Sequence, residues 1–289
     1  MRPITVQARQ ATMGAQASAR AAAQQAAPWI ERFARLGYVA SAAVYIVIGG
    51  LAAKAAFGAG GKTTGTRGAL QTIVEQPMGQ VLLAIVAAGL FGYGAWQLVS
   101  AVTDAEREGT EPKGLALRAG MVGRALISGS LGVAAVRLIA GSGGGAQDGA
   151  RAEHWTARLL ALPAGRWIVV LVGAGIVAYG LYQLYRAYAA KVREHLDLST
   201  LGPTAQTWVV RFGRFGLAAR GVVFGIIGLF LIRAAATYDP SEASDLGEAL
   251  ATLERQSYGA WLLGAVALGF IAYGLYQLVN ARYRRIGVT

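Results

Sequence analysis

The sequence predicts an all-α membrane protein: six transmembrane helices arranged as three parallel two-helix repeats. Three observations predict it. Six apolar stretches are long enough to cross a bilayer core, which takes about 20 residues. Charged residues make up 15% of the 289, against about a quarter in soluble domains, while 55% are hydrophobic and mean hydropathy is +0.43. One short phrase also recurs near the ends of three runs: Tyr93-Gly94-Ala95-Trp96-Gln97-Leu98, Tyr179-Gly180-Leu181-Tyr182-Gln183-Leu184 and Tyr273-Gly274-Leu275-Tyr276-Gln277-Leu278. Such repetition decides architecture.

The elements follow in order. Residues 1–28 form an Ala/Gln-rich tail with scattered arginine. It lacks the compact apolar core and cleavage site of a signal peptide, and is expected to be disordered or a loose helix at the membrane surface. Repeat 1, residues 29–103, holds spans at Leu36–Ala53 and Met78–Val102. Repeat 2, residues 112–191, holds Ala119–Val136 and Trp167–Tyr185. Repeat 3, residues 208–286, holds Phe215–Ile232 and Tyr258–Ala281.

Aligned columns support this division. Arg35, Arg118 and Arg214 open the odd helices, followed by Gly37, Gly120 and Gly216. Gly49, Gly132 and Gly228 align further in, and Lys54, Arg137 and Arg233 close them. In the even helices Gly79, Gly165 and Gly259 precede the tyrosine by a constant interval, with Gly89, Gly175 and Gly269 between. Trp29, Arg32 and Phe33 also match Trp208, Arg211 and Phe212. Two crossings per unit make the repeats parallel, unlike the inverted repeats of many transporters. They can close around a pseudo-threefold axis or pack side by side.

The glycines have a physical use. Lipid gives helices no hydrophobic reason to associate, so small residues let backbones approach. Gly37, Ser41, Tyr45 and Gly49 step by four, as do Gly120, Arg124, Ser128 and Gly132, and Gly216, Arg220, Phe224 and Gly228. Each stripe keeps to one drifting helix face. Before each even helix stands a short amphipathic piece: Ala69-Leu70 with Ile73-Val74, Trp155 with Leu159-Leu160, and Ala249-Leu250 with Leu253. These read as helices in the outer interface. Pro77 and Pro163 are expected at the first helical turn of the following span.

Composition also excludes. There is no cysteine, so no thiol chemistry or disulfide. Both histidines, His154 and His195, fall in loops, and all 15 acidic residues fall in loops or at membrane edges. No metal site, cofactor site or catalytic set can be assembled at one depth, so the chain does not read as an enzyme. Gly61-Lys62-Thr63 resembles the end of a phosphate-binding loop, but Ala56 replaces the first glycine and no strand precedes it. The net charge of +12 does not indicate nucleic acid, because the basic residues flank the spans. Sixteen Lys and Arg lie on the side of the termini and nine on the other, which predicts cytoplasmic termini. Those basic loops are expected to meet anionic lipid.

Arg124 and Arg220 are the anomalies. Each lies about 9 Å deeper than the arginine opening its helix, at a rise of 1.5 Å per residue. An arginine there either snorkels to the headgroups or faces protein, water or a partner. Tyr93 and Gln97, Tyr179 and Gln183, and Tyr273 and Gln277 sit four apart on one face near the same depth. Their oxygens can accept from a guanidinium. The polar cluster these eight residues would form is the candidate site; otherwise the tyrosines are an interfacial belt.

With these motifs laid out, the Arg-x-Gly openings and Tyr-Gly-x-Tyr/Trp-Gln-Leu endings resemble the bacterial membrane family called domain of unknown function 1206. The resemblance runs from Trp29 to Arg285, with Ser41 in the arginine column of repeat 1 and Trp96 for the second tyrosine. It implies tandem two-helix units, commonly three per chain, in the bacterial cytoplasmic (inner) membrane, and implies no activity. Two readings of function stand: a non-enzymatic scaffold or envelope factor, or a transporter or channel for a small anionic or neutral solute.

Single cysteines in this cysteine-free chain test the orientation. Lys113→Cys should be shielded from an impermeant maleimide in intact cells, while Arg67→Cys and Glu242→Cys should react. Labelling of Lys113→Cys from outside would reverse the topology.

Overall fold

The computed structural model describes residues 32, 35–61, 63–104, 111–142, 148–190 and 196–284; the tail over 1–28, with Trp29, lies outside them. Helix α1 runs Arg35–Ala56. It is followed by α2 (Thr66–Val74), α3 (Gly79–Thr103), α4 (Pro112–Ile139), α5 (Asp148–Leu160), α6 (Gly165–Tyr188), α7 (Pro203–Thr237), a 3₁₀ turn (Pro240–Glu242), α8 (Leu246–Glu254) and α9 (Gly259–Tyr283). No β-strand occurs among the described residues, only an isolated bridge between Leu196 and Arg284. Helices α1, α3, α4, α6, α7 and α9 are each long and apolar enough to cross a membrane. Their outer faces expose large apolar side chains such as Leu126, Ile127, Leu171 and Leu229, as lipid contact requires. This is a multi-pass membrane protein of three two-helix repeats.

The spans are longer than hydropathy alone marks. Helix α7 begins at Pro203 rather than Phe215, with proline in its first turn where a missing N–H costs nothing. Its early turns carry Trp208 stacked on Phe212 at 5.6 Å. Pro77 and Pro163 do not enter a helix: each sits in the tight turn before it. The hydrogen bond that closes this turn recurs in all three repeats, although Met78 and Ala164 before the glycine are left-handed (φ 61°) and Tyr258 is not (φ −111°). Gly79, Gly165 and Gly259 donate to the carbonyls of Gln76, Leu162 and Gln256 at 2.7, 2.8 and 2.7 Å. A Cβ on any of the three glycines would strike a carbonyl oxygen of the preceding short helix, which fixes glycine there. The short helices α2 and α8 bury Ala69, Leu70 and Ile73, and Ala249 and Leu250, so they are packed lids rather than surface floats. With α5 they form a cap layer, touching one another at one end of the bundle.

The six spans form a curved row in the order α4, α3, α1, α9, α7, α6. Each repeat's odd helix packs on the even helix of the repeat before it, cyclically: α4 on α3, α7 on α6 and α1 on α9. Gly94, Gly180 and Gly274 approach the carbonyls of Ala125, Gly221 and Ala42, one column in all three copies. The opening arginines bind the same way. Arg118 Nε donates to Ala101 O at 2.6 Å, Arg214 Nε to Ala187 O at 2.7 Å, and Arg35 Nη1 to Ala281 O at 2.6 Å. The last carbonyls of a helix lack partners and carry its negative dipole end. A guanidinium satisfies both, so each repeat caps its neighbour.

Within a repeat the seams differ. In repeat 1 Gly37 abuts Tyr93 and Gly89 abuts Leu36 and Ala40; in repeat 3 Gly216 abuts Tyr273 and Gly269 abuts Ala219. In repeat 2, α4 and α6 do not pack on each other. Gly120, expected to be a packing glycine, has open space where a Cβ would stand, as do Gly123 and Gly175. The pseudo-threefold bundle therefore has five closed seams and one open. The glycine stripes also serve two neighbours each: Gly37 meets α3 while Gly49 meets Ala267 and Ile271 of α9.

Packing sets the cost of a methyl group. At Gly228 a Cβ would lie 2.7 Å from Gly173 O, which is backbone, whereas at Gly132 it meets the mobile ring end of Phe91. Gly228→Ala should cost about 1–3 kcal/mol by overpacking, and Gly132→Ala less. Gly120→Ala should be silent or gain up to about 1 kcal/mol of helix propensity. Thermal unfolding in detergent measures the order; equal shifts at Gly228 and Gly120 would refute the open seam. Gly145, a loop position, lies outside the described residues.

Candidate polar cluster

The site is built on Arg220, halfway along α7. Helix α7 is pinned on one side against α9 at Gly216 and on the other against α6 at Gly228, so Arg220 points between two fixed neighbours. Its guanidinium carbon lies 4.4 Å from the ring centroid of Tyr273 and 5.2 Å from those of Tyr45 and Phe224. Arg220 Nη1 makes a short hydrogen bond to the Tyr273 hydroxyl. Tyr45 in turn meets Tyr273 edge-on at 4.8 Å and Phe270 at 5.6 Å, and Tyr179 meets Phe224 at 5.3 Å. Tyr45 of α1, Phe224 of α7 itself and Tyr273 of α9 thus line the cage, with Tyr179 of α6 behind Phe224. Tyr93 meets Tyr38 edge-on at 5.4 Å.

The electrostatics explain the aromatic lining. Removing a cation from water costs several kcal/mol, and no acidic residue occurs between Asp197 and Asp239 to pair with it. Each desolvated ring face returns about 2 kcal/mol through its quadrupole. The hydrogen bond to Tyr273 adds about 1.5–3 kcal/mol, the range for bonds to a charged partner. Arg220 Nε is nevertheless buried without a hydrogen-bond partner. The cage holds the charge and leaves one donor over.

Arg124, in the same column, is placed differently. Its Nε donates to Gly120 O of its own helix at 3.4 Å, turning back toward the end where α4 begins. The reason lies one turn further on. Repeat 1 has Tyr45 and repeat 3 has Phe224 in the position where repeat 2 has Ser128, so α4 supplies no ring for its own arginine. Ser41 takes the arginine position in repeat 1, where Tyr45 serves the arginine of repeat 3.

The glutamines do not join the cage. Gln97, Gln183 and Gln277 are all buried. Gln277 Oε1 accepts from Asn280 Nδ2 at 3.3 Å, and Gln97 Nε2 is buried without a hydrogen-bond partner. Near Gln97 on α3, Trp96 Nε1 and Ser100 Oγ are orphaned in the same way. Sequence reasoning also missed Tyr45 and Phe224 as cage members, although both stand four residues from the arginine column. No group of three or more possible metal ligands occurs among the described residues.

The comparisons agree with the repeat. A model of the family described as Domain of Unknown Function (DUF1206) matches three times, over residues 36–104, 119–190 and 215–284. The uncharacterized protein YxxB of Bacillus subtilis (strain 168) is 36% identical over 263 residues, covering 91% of this chain and 94% of its own length. No solved structure matches.

The two arginines should separate on substitution. Arg220→Lys loses the planar group that fills the cage and should lower the melting temperature in detergent by several degrees, with Tyr273→Phe giving a smaller loss. Arg124→Lys, on a flexible stem near its own helix backbone, should be nearly neutral. Equal losses at both positions would mean that the cage contributes nothing special.

Proposed function

The chain belongs to the DUF1206 family, and from the site itself we propose that it is a non-enzymatic membrane protein that binds a small anion at Arg220, as a transporter or channel for an anionic solute. The observation that carries this reading is a cationic group held inside the spans with a buried, unused Nε–H and no carboxylate on any span. A structural arginine in lipid is ordinarily matched by an acid or by carbonyls, and intramembrane ionisable groups mark ligand paths. Rings balance the charge through their faces, while an anion approaches a guanidinium through its edge. The two are compatible.

A bacterial cytoplasmic membrane location, with both termini and the basic connections inside, fits the charge asymmetry, and those connections would lie against anionic lipid. Nucleic acid has no part in this reading. The scaffold reading draws on a different observation, the backbone-tight glycine seams, which give a rigid body without requiring a solute.

Purified protein in liposomes tests the proposal. Chloride, phosphate and short-chain carboxylates should each be tried, by flux and by ligand-induced thermal shift. At least one should move or bind, and Arg220→Gln should lower that signal tenfold or more. If none of these anions binds or passes through well-folded protein, the scaffold reading stands in its place.

A further inference from the structure

The repeat shows what the open seam between α4 and α6 is built to do. In repeats 1 and 3 the seam within the repeat is made by the same four columns. Gly37 and Gly216 rest on Tyr93 and Tyr273, while Gly89 and Gly269 rest on Ala40 and Ala219. Repeat 2 carries all four: Gly120, Tyr179, Gly175 and, in the alanine column, Gly123. Nothing stands within 4 Å of a Cβ placed at Gly120, Gly123 or Gly175. The α4 and α6 spans are correspondingly the least buried of the six, each 22% against 61% for α9. The surfaces that make contact twice elsewhere in the molecule are present here and apart.

We propose that α4 and α6 form a lateral gate, which closes through Gly120, Gly123, Gly175 and Tyr179 to complete the six-helix ring, and that the structure holds it open. The occupant of the gap in the closed state is the chain itself, because the closed seams show both halves of the contact already formed by equivalent residues. The outer hinges are in place: α4 stays capped on α3 by Arg118, and α6 stays locked to α7 through Gly173, Gly180, Gly221 and Gly228. Closure swings α4 with α3 toward α6 with α7. It also carries Arg124 to the counterpart of Arg220's position, where Tyr179 occupies the place of Tyr273, so its bond passes from Gly120 O to the Tyr179 hydroxyl. This inference does not depend on anion binding at Arg220.

Paired spin labels test it, since the chain contains no cysteine. A side chain inside the seam would itself obstruct closure, because Gly175 has its counterparts in Gly89 and Gly269, where a Cβ would lie 2.6 Å from Leu36 O and closer still to the Ala219 Cβ. The labels therefore go on lipid-facing positions, Leu126→Cys of α4 with Leu171→Cys of α6, and Leu171→Cys with Leu229→Cys reads the locked α6–α7 seam as the control. In liposomes the labels at positions 126 and 171 should report two distances, and the control pair one. Adding Gly120→Leu should lower the population of the second distance tenfold or more without changing the control. A single distance that Gly120→Leu leaves unchanged, with the control pair as expected, would overturn the gate. So would a second distance that vanishes on dilution with unlabelled protein, which would make the open seam a contact with a second copy.

Discussion

Close approach of one helix backbone to another is the interaction on which the rest of this structure depends. In lipid, apolar side chains gain little by leaving the bilayer for a neighbouring helix. What remains is contact at a distance that only glycine allows, and five seams use it. The same columns recur, so the same approach repeats around the axis and brings tyrosines from different repeats to one point. The aromatic cage around Arg220 is a product of that geometry: α7 is held at fixed distance from α6 and α9, and α1 is held against α9, before any side chain of the cage is considered.

Capping adds direction to packing. Glycine contacts alone would tolerate sliding of one helix along another. The bond from each opening arginine to the final turn of the preceding repeat removes that freedom, because the acceptor carbonyls lie only at the helix end. Arg35, Arg118 and Arg214 therefore set the vertical register, while the glycines set the lateral spacing. Strand-like or loop contacts contribute little by comparison; the bridge between Leu196 and Arg284 ties the linker before α7 to the end of α9.

The architecture was largely legible in the sequence because it is periodic. A column of three equal residues can be seen without coordinates, and the six spans and the short helix before each even span follow from columns; the burial of α2 and α8 and the turns at Pro77 and Pro163 do not. Partnership is not periodic. Nothing in the chain says that Arg35 will find a carbonyl 246 residues away rather than one in its own repeat. The same limit governs the site. Arg220 was visible as a charge in an apolar run, but its ring partners Tyr45 and Phe224 read as members of a packing stripe, since a ring at that step serves either purpose. Gln97, Gln183 and Gln277 stand at the right spacing and are buried, yet the bond Gln277 makes is to Asn280 of its own helix, because spacing of four fixes a shared face without fixing a partner. Gly120 belonged to a packing column and packs on nothing, a difference that only the tertiary arrangement of α4 and α6 reveals.

The pairing of α1 with α9 has a consequence for biogenesis. Of the six spans, α1 is made before the other five, yet one of its two neighbours, α9, is made after all of them. Until α9 is in place the flank of α1 that carries Gly49 lacks its neighbour, and the spans behind it form a row with an open edge. Maturation of the bundle is thus tied to synthesis of α9: a product truncated before Ala281 would lack the carbonyls of Ala281 and Arg282 that accept from Arg35, and would expose that edge to membrane quality control. The same adjacency of beginning and end means that the order of the three repeats is a matter of where the chain was cut, and a circularly permuted chain starting at repeat 2 or repeat 3 would contain every inter-repeat seam of the original.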